Sequence, residues 1–381
     1  MCATVAKGDM FEMENPFHYG SIVTGENFVD REKELELLLK ELRNRQRVVI
    51  YSNRRMGKSS LLKELARRNQ KEFIFAYVDL YGITSKSKFL ESLVGEVARA
   101  AYSKTEKLAS TVREFLSSVR FRFVITNGGT AGVEFDRAEV RMGELTEILD
   151  FPERTGKKKG KPVVVMFDEF QEISSLDGVA LLKRMRSRIQ FHEHATYIFS
   201  GSKRHLLRQI FEEEEGAFFR STRPMELGHI PKSEFEKFII GKFKAAGGNL
   251  RVDFAKRIVD ASRGYPYYAQ QIAHELFDKS PSPSDPEEVE SAIRTAVDHH
   301  APLCQSLWDS IKSPLHRQYL LAVAEEPGVA HGTVFIERYG LKSYSHIQRI
   351  EKQLEGRGVI EAGDIVDPMF ALWLRNLKGV D

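Results

Sequence analysis

An apolar run, Val48-Val49-Ile50-Tyr51, leads directly into Ser52-Asn53-Arg54-Arg55-Met56-Gly57-Lys58-Ser59 and then Ser60-Leu61-Leu62-Lys63-Glu64-Leu65. The short β-branched and aromatic run predicts a buried strand, and the leucine spacing after Ser60 predicts a helix to about Arg68. The loop between them must open that helix. Backbone N–H groups at a helix start, with the positive end of the dipole behind them, make an anion site. Lys58 adds a point charge suited to β/γ-phosphate oxygens, and Ser59 adds a hydroxyl suited to a metal ion. A strand, a phosphate-cradling loop and a helix in this order restrict the chain to an α/β architecture.

A second segment about a hundred residues later completes the chemistry. Val163-Val164-Val165-Met166-Phe167-Asp168-Glu169 reads as a buried strand ending in two carboxylates. Asp168 there can hold Mg²⁺ through water, and Glu169 can orient and deprotonate an attacking water. The two segments together identify a P-loop nucleotide site, with ATP and Mg²⁺ as the expected ligands. One position departs from the pattern: Ser52 stands where the P-loop has its first Gly. If that turn needs φ > 0, a side chain there costs strain and lowers affinity.

The bulk numbers narrow the setting. A chain of 381 residues is long enough for two or three domains. With 42% hydrophobic and 29% charged residues it has an ordinary globular composition. A formal net charge of +3 supplies no strong field toward nucleic acid. Cys2 and Cys304 are too few for a disulfide framework, which fits a reducing compartment. No apolar run approaches the ~20 residues of a membrane span. The stretch Met1 to Met10 lacks the order of a signal peptide. The expectation is a cytoplasmic protein with no membrane partner.

Along the chain, residues 1–14 read as a flexible start. Asp30 is the expected N-cap of a helix carrying Leu35, Leu38 and Leu42. Phe73 to Asp79 reads as a strand and Phe89 to Ala101 as a helix. The segment 102–161 is less regular. In it, Phe121 to Ile125 and Ala131 to Phe135 flank Thr126-Asn127-Gly128-Gly129-Thr130, a hairpin signal. Lys157 to Lys161 reads as an exposed basic loop. A helix from Leu181 to Gln190 and a strand from Thr196 to Ser202 follow. Alternating strands and helices imply a parallel sheet with the ligand beyond its carboxyl edge. From Lys232 the pattern turns helical, and Ser280 to Pro286 reads as a linker. Beyond residue 300, three helices precede two short strands around Ala362-Gly363-Asp364. That order is a winged helix. The expected domains are a core at 15–230, a helical segment at 231–299 and a winged helix at 300–381.

Several segments together resemble the archaeal-type P-loop ATPases of the STAND class, relatives of the AAA+ replication initiators. They are Phe28-Val29-Asp30-Arg31-Glu32, Arg54 to Ser59, Asp168-Glu169-Phe170-Gln171, Phe199-Ser200-Gly201-Ser202, Gly264-Tyr265-Pro266, and Asp367 to Arg375. The resemblance implies an ATPase of slow turnover acting as a nucleotide-dependent switch, with the helical segment 231–299 as its lid. It implies ATP and ADP as ligands and a protein partner that reads the state, and it leaves room for nucleotide-dependent self-association. By position, Asn53, Arg54, Arg55, Met56, Gly57, Lys58, Ser59 and Ser60 hold the phosphates, and Ser59 and Asp168 hold the metal. Glu169 and Lys58 act in catalysis, with Ser200 at a sensor position. Phe28 and Val29 lie against adenine, and Tyr265 and Pro266 contact nucleotide from the lid.

Plainer readings stand beside some of these. Ser200 and Ser202 equally suit an ordinary strand-to-loop turn. Arg220 reads better as a structural arginine than as an arginine finger. Pro266 also suits the first turn of a helix. In the winged helix, Ile347, Ile350 and Leu354 are expected inward, and His346, Gln348, Arg349 and Lys352 outward. Residues 300–381 carry nine Lys and Arg against ten Asp and Glu, a net charge of −1. A DNA reader should be more basic. A partner-facing winged helix is therefore favoured, with a DNA-associated ATPase that holds duplex DNA with the winged helix and the basic Lys183–Arg188 helix as the alternative.

Overall fold

The structure, a computed structural model, describes residues 14–102, 105–125, 131–136, 141–328, 333–341 and 343–378. It divides by contact into one unit of residues 22–228 and another joining the described residues 14–21 to 229–378. The first unit holds β1 (Val48–Tyr51), β2 (Ile74–Asp79), β3 (Phe121–Ile125), β4 (Ala131–Phe135), β5 (Val163–Asp168), β6 (Ala195–Gly201) and β7 (Arg223–Glu226). Its helices are α1 (Glu32–Arg43), α2 (Lys58–Asn69), α3 (Lys86–Ala101), α4 (Thr105–Phe115), α5 (Met142–Leu149), α6 (Phe151–Lys159), α7 (Gly178–Ile189) and α8 (Arg204–Phe211).

Five strands form one sheet in the order β2-β5-β6-β1-β7, with every neighbouring pair parallel. The apolar runs are continuous because helices cover both faces. Val48 and Ile50 face Leu35, Leu38 and Leu42 of α1 and Leu61, Leu62 and Leu65 of α2. Val49 and Tyr51 point the other way, into a second core with Phe89, Val94, Phe167, Phe199 and Phe211. The alternation follows from the two-residue period of a strand. The strand order places β6 between the loop-bearing β1 and the carboxylate-bearing β5, and the parallel pairing ends all three at one edge.

Several local expectations shift. The N-cap of α1 is Arg31, at φ 73°, and not Asp30. Lys157, Lys158 and Lys159 are the last turn of α6, closed by Gly160 at φ 61°, so the basic run is a helix end and not a loop. Cations are favoured there by the helix dipole. The irregular segment contains α4, α5 and α6 as well as the antiparallel pair β3–β4, in register Phe121 to Phe135 and Phe123 to Val133. The expected hairpin turn, Thr126 to Thr130, lies outside the described residues, as does most of the flexible start.

The second unit holds α9 (Lys232–Ala245), α10 (Val252–Ala261), α11 (Pro266–Lys279), α12 (Pro286–Ser310), α13 (Pro314–Glu325), α14 (Thr333–Arg338) and α15 (Tyr344–Glu355). A short antiparallel pair, β8 (Ile360–Glu361) and β9 (Asp364–Ile365), and α16 (Pro368–Lys378) complete it. The sequence α13-α14-α15-β8-β9 has the element order of a winged helix, and Ile347, Ile350 and Leu354 are buried as expected. The expected boundary at residue 299 falls inside α12, a single 25-residue helix. The expected start of the core at residue 15 also moves, because Phe17 packs on Phe243 and Phe277 of the second unit.

Candidate functional site

The loop Ser52 to Gly57 leaves β1 and enters α2 at Lys58. Arg55 at φ 66° and Gly57 at φ 85° are left-handed, while Ser52 is not. The usual reason for a glycine at the first position is therefore absent. Ser52 is buried and its hydroxyl donates to the Asn53 carbonyl at 2.8 Å. Gly57 is different: a Cβ there meets nothing within 4 Å, so backbone conformation and not space demands glycine. Left-handed residues alternating with ordinary ones turn successive N–H groups to one side, the arrangement that binds an anion. Lys58 follows at the helix start and is only 6% exposed.

Around Lys58 the strand ends bring carboxylates and hydroxyls together. Ser59 Oγ donates to Asp168 Oδ2 at 2.5 Å, and Tyr77 OH donates to the same oxygen at 2.7 Å. Ser200 Oγ donates to Asp168 Oδ1 at 2.7 Å, joined by the Glu169 N–H at 3.0 Å. Burial by itself would push the Asp168 carboxyl up. The hydrogen bonds from Ser59, Ser200 and Tyr77 outweigh it and hold the group below its ordinary value. Asp168 is an oriented anion. The phenol of Tyr77 moves the opposite way, pushed up by burial and by the Asp168 charge.

Glu169 sits at φ 48° and ψ 43°, left-handed for a residue with a Cβ. Holding it there costs about 1–3 kcal/mol, a cost that persists where function requires the placement. Its Oε1 lies 3.8 Å from Lys58 Nζ. Its Oε2 accepts from Ser202 Oγ at 2.7 Å, Ser202 N–H at 3.2 Å and Gln171 Nε2 at 2.6 Å.

The expected residues do not all take their expected roles in the fold. Lys58, Ser59, Asp168, Glu169 and Ser200 converge. Ser200, wholly buried, reaches Asp168, whereas Ser202 is the serine that reaches Glu169. Met56 is a core side chain and offers a ligand only its backbone, while Arg54 is exposed. Ser60 Oγ accepts the Val23 N–H at 3.1 Å, and Glu64 Oε2 accepts the Gly25 N–H at 2.9 Å. These bonds pin the segment leading to Phe28 and Val29 beside α2. Arg31, buried, donates to the Gly228 carbonyl at 2.7 Å and reaches the Met56 carbonyl at 3.5 Å. Arg220 is left-handed at φ 52°, with its guanidinium 4.9 Å from the Phe219 ring.

Tyr265 and Pro266 belong to the other unit. Pro266 opens α11, where its missing N–H leaves nothing unsatisfied. Tyr265 OH donates to the Val366 carbonyl at 2.8 Å. Tyr77, Gln171 and Arg31 are the site residues that sequence reasoning gave no role, and for Ser202 it left a sensor role and an ordinary turn equally open. For Ser202 and Gln171 the signal was their place in the Phe199-Ser202 and Asp168-Gln171 segments. For Tyr77 only a polar tip near a strand end marked it.

The residues present fit a nucleotide with Mg²⁺. The left-handed loop and the buried Lys58 suit phosphate oxygens. Among the described residues no cluster of three or more His, Cys, Asp or Glu could hold a metal. Mg²⁺ needs none, since one carboxylate and a hydroxyl suffice beside phosphate oxygens and water. Among the described residues no helix is long and apolar enough to cross a membrane.

Comparison with known proteins agrees with this geometry. A family model described as an ATPase domain predominantly from Archaea matches residues 28–271. No curated relative matches the sequence. A Walker-type ATPase of Pyrococcus abyssi is similar in structure with a TM-score of 0.67, at 17% identity, covering 92% of this chain and 97% of that one. The ORC2 protein of Aeropyrum pernix, solved as ADPNP and ADP complexes, is similar with a TM-score of 0.55, at 14% identity, covering 94% and 98%. At these identities both likenesses speak to the fold.

Proposed function

Because the chain belongs to the family of ATPase domains found predominantly in Archaea, it is an ATPase, and we propose that it works as a STAND-type switch whose nucleotide state a protein partner reads. The site reading rests on one observation, the convergence of Lys58, Ser59, Asp168 and Glu169 at the ends of β1 and β5. The loop N–H groups of residues 53–60 and Lys58 hold the β/γ-phosphates. Ser59 and Asp168 hold Mg²⁺, which when bound neutralises phosphate charge. Glu169 Oε1 orients the attacking water and takes its proton. Ser200 keeps Asp168 oriented, and Phe28 and Val29, pinned beside α2, contact adenine.

Support for a switch comes from the second unit. Arg263 Nη1 donates to the Ile365 carbonyl at 2.9 Å, Tyr265 OH to Val366, and Tyr268 OH to Asp367 Oδ2 at 2.5 Å. The turn Gly264-Tyr265-Pro266 is thus tied to the segment that follows the wing. Nucleotide sensed by Tyr265 and Pro266 would be transmitted there. A ligand shifts a two-state equilibrium only by its differential affinity. ATP with Mg²⁺ is therefore expected to protect the loop 280–285 from protease in wild type, and Pro266→Ala is expected to lose that protection. Cleavage indifferent to nucleotide in wild type would remove the switch.

The DNA-associated alternative draws less support. Arg186 donates to the Ala217 and Phe219 carbonyls, and Arg188 is bidentate on Asp150. Two of the four basic groups of that helix are thus committed inside the fold. A salt-dependent shift of duplex DNA in a gel, with ATPase stimulation, would favour it.

A further inference from the structure

Gly201 ends β6 without a left-handed backbone, in a strand buried along its whole length. Conformation does not explain a glycine there, but space does. A Cβ on Gly201 would stand 1.9 Å from Gln171 Oε1, and 3.1 Å from both Gln171 Cδ and Leu207 Cδ1. The missing side chain is the slot in which the Gln171 amide lies. That residue is 2% exposed, and its Oε1 has no hydrogen-bond partner. An orphaned buried acceptor is unfavourable, so the bonds at the other end of the amide must offset holding it there. Nε2 donates to Glu169 Oε2 at 2.6 Å and lies 3.3 Å from Glu172 Oε1, which Lys203 Nζ holds at 2.8 Å.

The geometry points to Gln171 as a positioning residue for hydrolysis, seated by Gly201, which together with Ser202 occupies Glu169 Oε2 and leaves Oε1 as the oxygen that meets water. The inference rests on the reading of Glu169 as the water-orienting group. Without the Gln171 donor, the left-handed Glu169 keeps only Ser202 on Oε2, and its carboxylate can rotate away from the position beside Lys58. Placing a methyl at residue 201 has the same consequence by a different route. It carries no penalty from φ, and the atom it strikes is the tip of Gln171.

The test is a double-mutant cycle in the full chain with Gln171→Ala, Gly201→Ala and both together, beside Glu169→Gln. Each single variant is expected to lower kcat about tenfold to a hundredfold, the range for a misplaced catalytic group. KM and affinity for a fluorescent ATP analogue should stay within about twofold, because only a transition-state contact is lost. The double variant should be no slower than Gln171→Ala alone, because the methyl then enters vacated space. It should also regain thermal stability that Gly201→Ala loses, which separates seating from misfolding. Losses that multiply, or full kcat in Gln171→Ala while Glu169→Gln is slow, would overturn the positioning role. Wild-type turnover in Glu169→Gln would instead overturn the reading of Glu169, and the clasp with it.

Discussion

Ser52 is the residue whose meaning changed most between sequence and structure. By analogy with the P-loop pattern it promised strain, yet its backbone is ordinary, and the left-handed positions are Arg55 and Gly57. Pattern matching assigns a residue type to a position but does not show which φ the local turn uses. Restoring the pattern with Ser52→Gly should therefore not tighten nucleotide binding. It removes the hydrogen bond to Asn53 and adds backbone freedom to the unfolded chain, costing about 0.5–1 kcal/mol. Thermal unfolding and ATP affinity measured on the same samples check this, and tighter binding would restore the strained turn. The convergence of Lys58, Ser59, Asp168 and Glu169 was legible because each lies at the end of a strand or the start of a helix that its own segment of sequence marks. Tyr77 and Gln171 were not, because their hydrogen bonds depend on strand register and on a slot that a neighbouring strand provides.

At the scale of elements, the parallel strands were read from short β-branched runs, and α1, α2 and α3 from their leucine and phenylalanine spacing. Helices α5 and α6 were missed, because Asp150 and Pro152 interrupt the pattern and the closing lysines imitate a loop. Their junction is fixed from α7 and the loop that follows it. Arg188 is bidentate on Asp150 at 2.9 and 2.5 Å, and His192 bridges Asp150 and the Tyr197 hydroxyl at 3.2 and 2.7 Å. Burial pushes the Asp150 carboxyl up, and hydrogen bonds from His192 and Arg188 outweigh it, leaving it below its ordinary value. A depressed carboxyl stabilises the fold above the unfolded value of about 4 and loses that contribution as pH falls through the folded value. Arg188→Ala should cost about 1 kcal/mol at neutral pH, allowing for the partial exposure of the pair. It should also move acid unfolding to higher pH, because Asp150 then loses a partner. Denaturant unfolding at neutral and acid pH measures both, and retention of duplex DNA should be unchanged. Weaker DNA retention would return the helix to the alternative reading.

At the scale of the whole molecule, the order of a parallel-sheet core, a run of helices and a closing set of helices with a short strand pair was legible, while the junctions between them were not. Residue 300, the expected start of the winged helix, lies within α12, which runs through Pro302 because a continuous face from Val289 through Ala296 to Cys304 stays buried. Residues 14–21 carry no periodic signal, yet Phe17 and Asn15 are held by α9 and α11: Phe17 packs on Phe243 and Phe277, and Asn15 donates to the His274 carbonyl at 3.0 Å. Nucleotide binding nevertheless depends on one buried cation, Lys58, at the start of α2. Calorimetric titration of ATP with Mg²⁺ into wild type and Lys58→Ala tests it most directly. Wild type should bind and Lys58→Ala should show no measurable binding, since the fixed positive charge that meets the phosphates is gone. Unchanged affinity in Lys58→Ala, with the protein folded, would contradict the site.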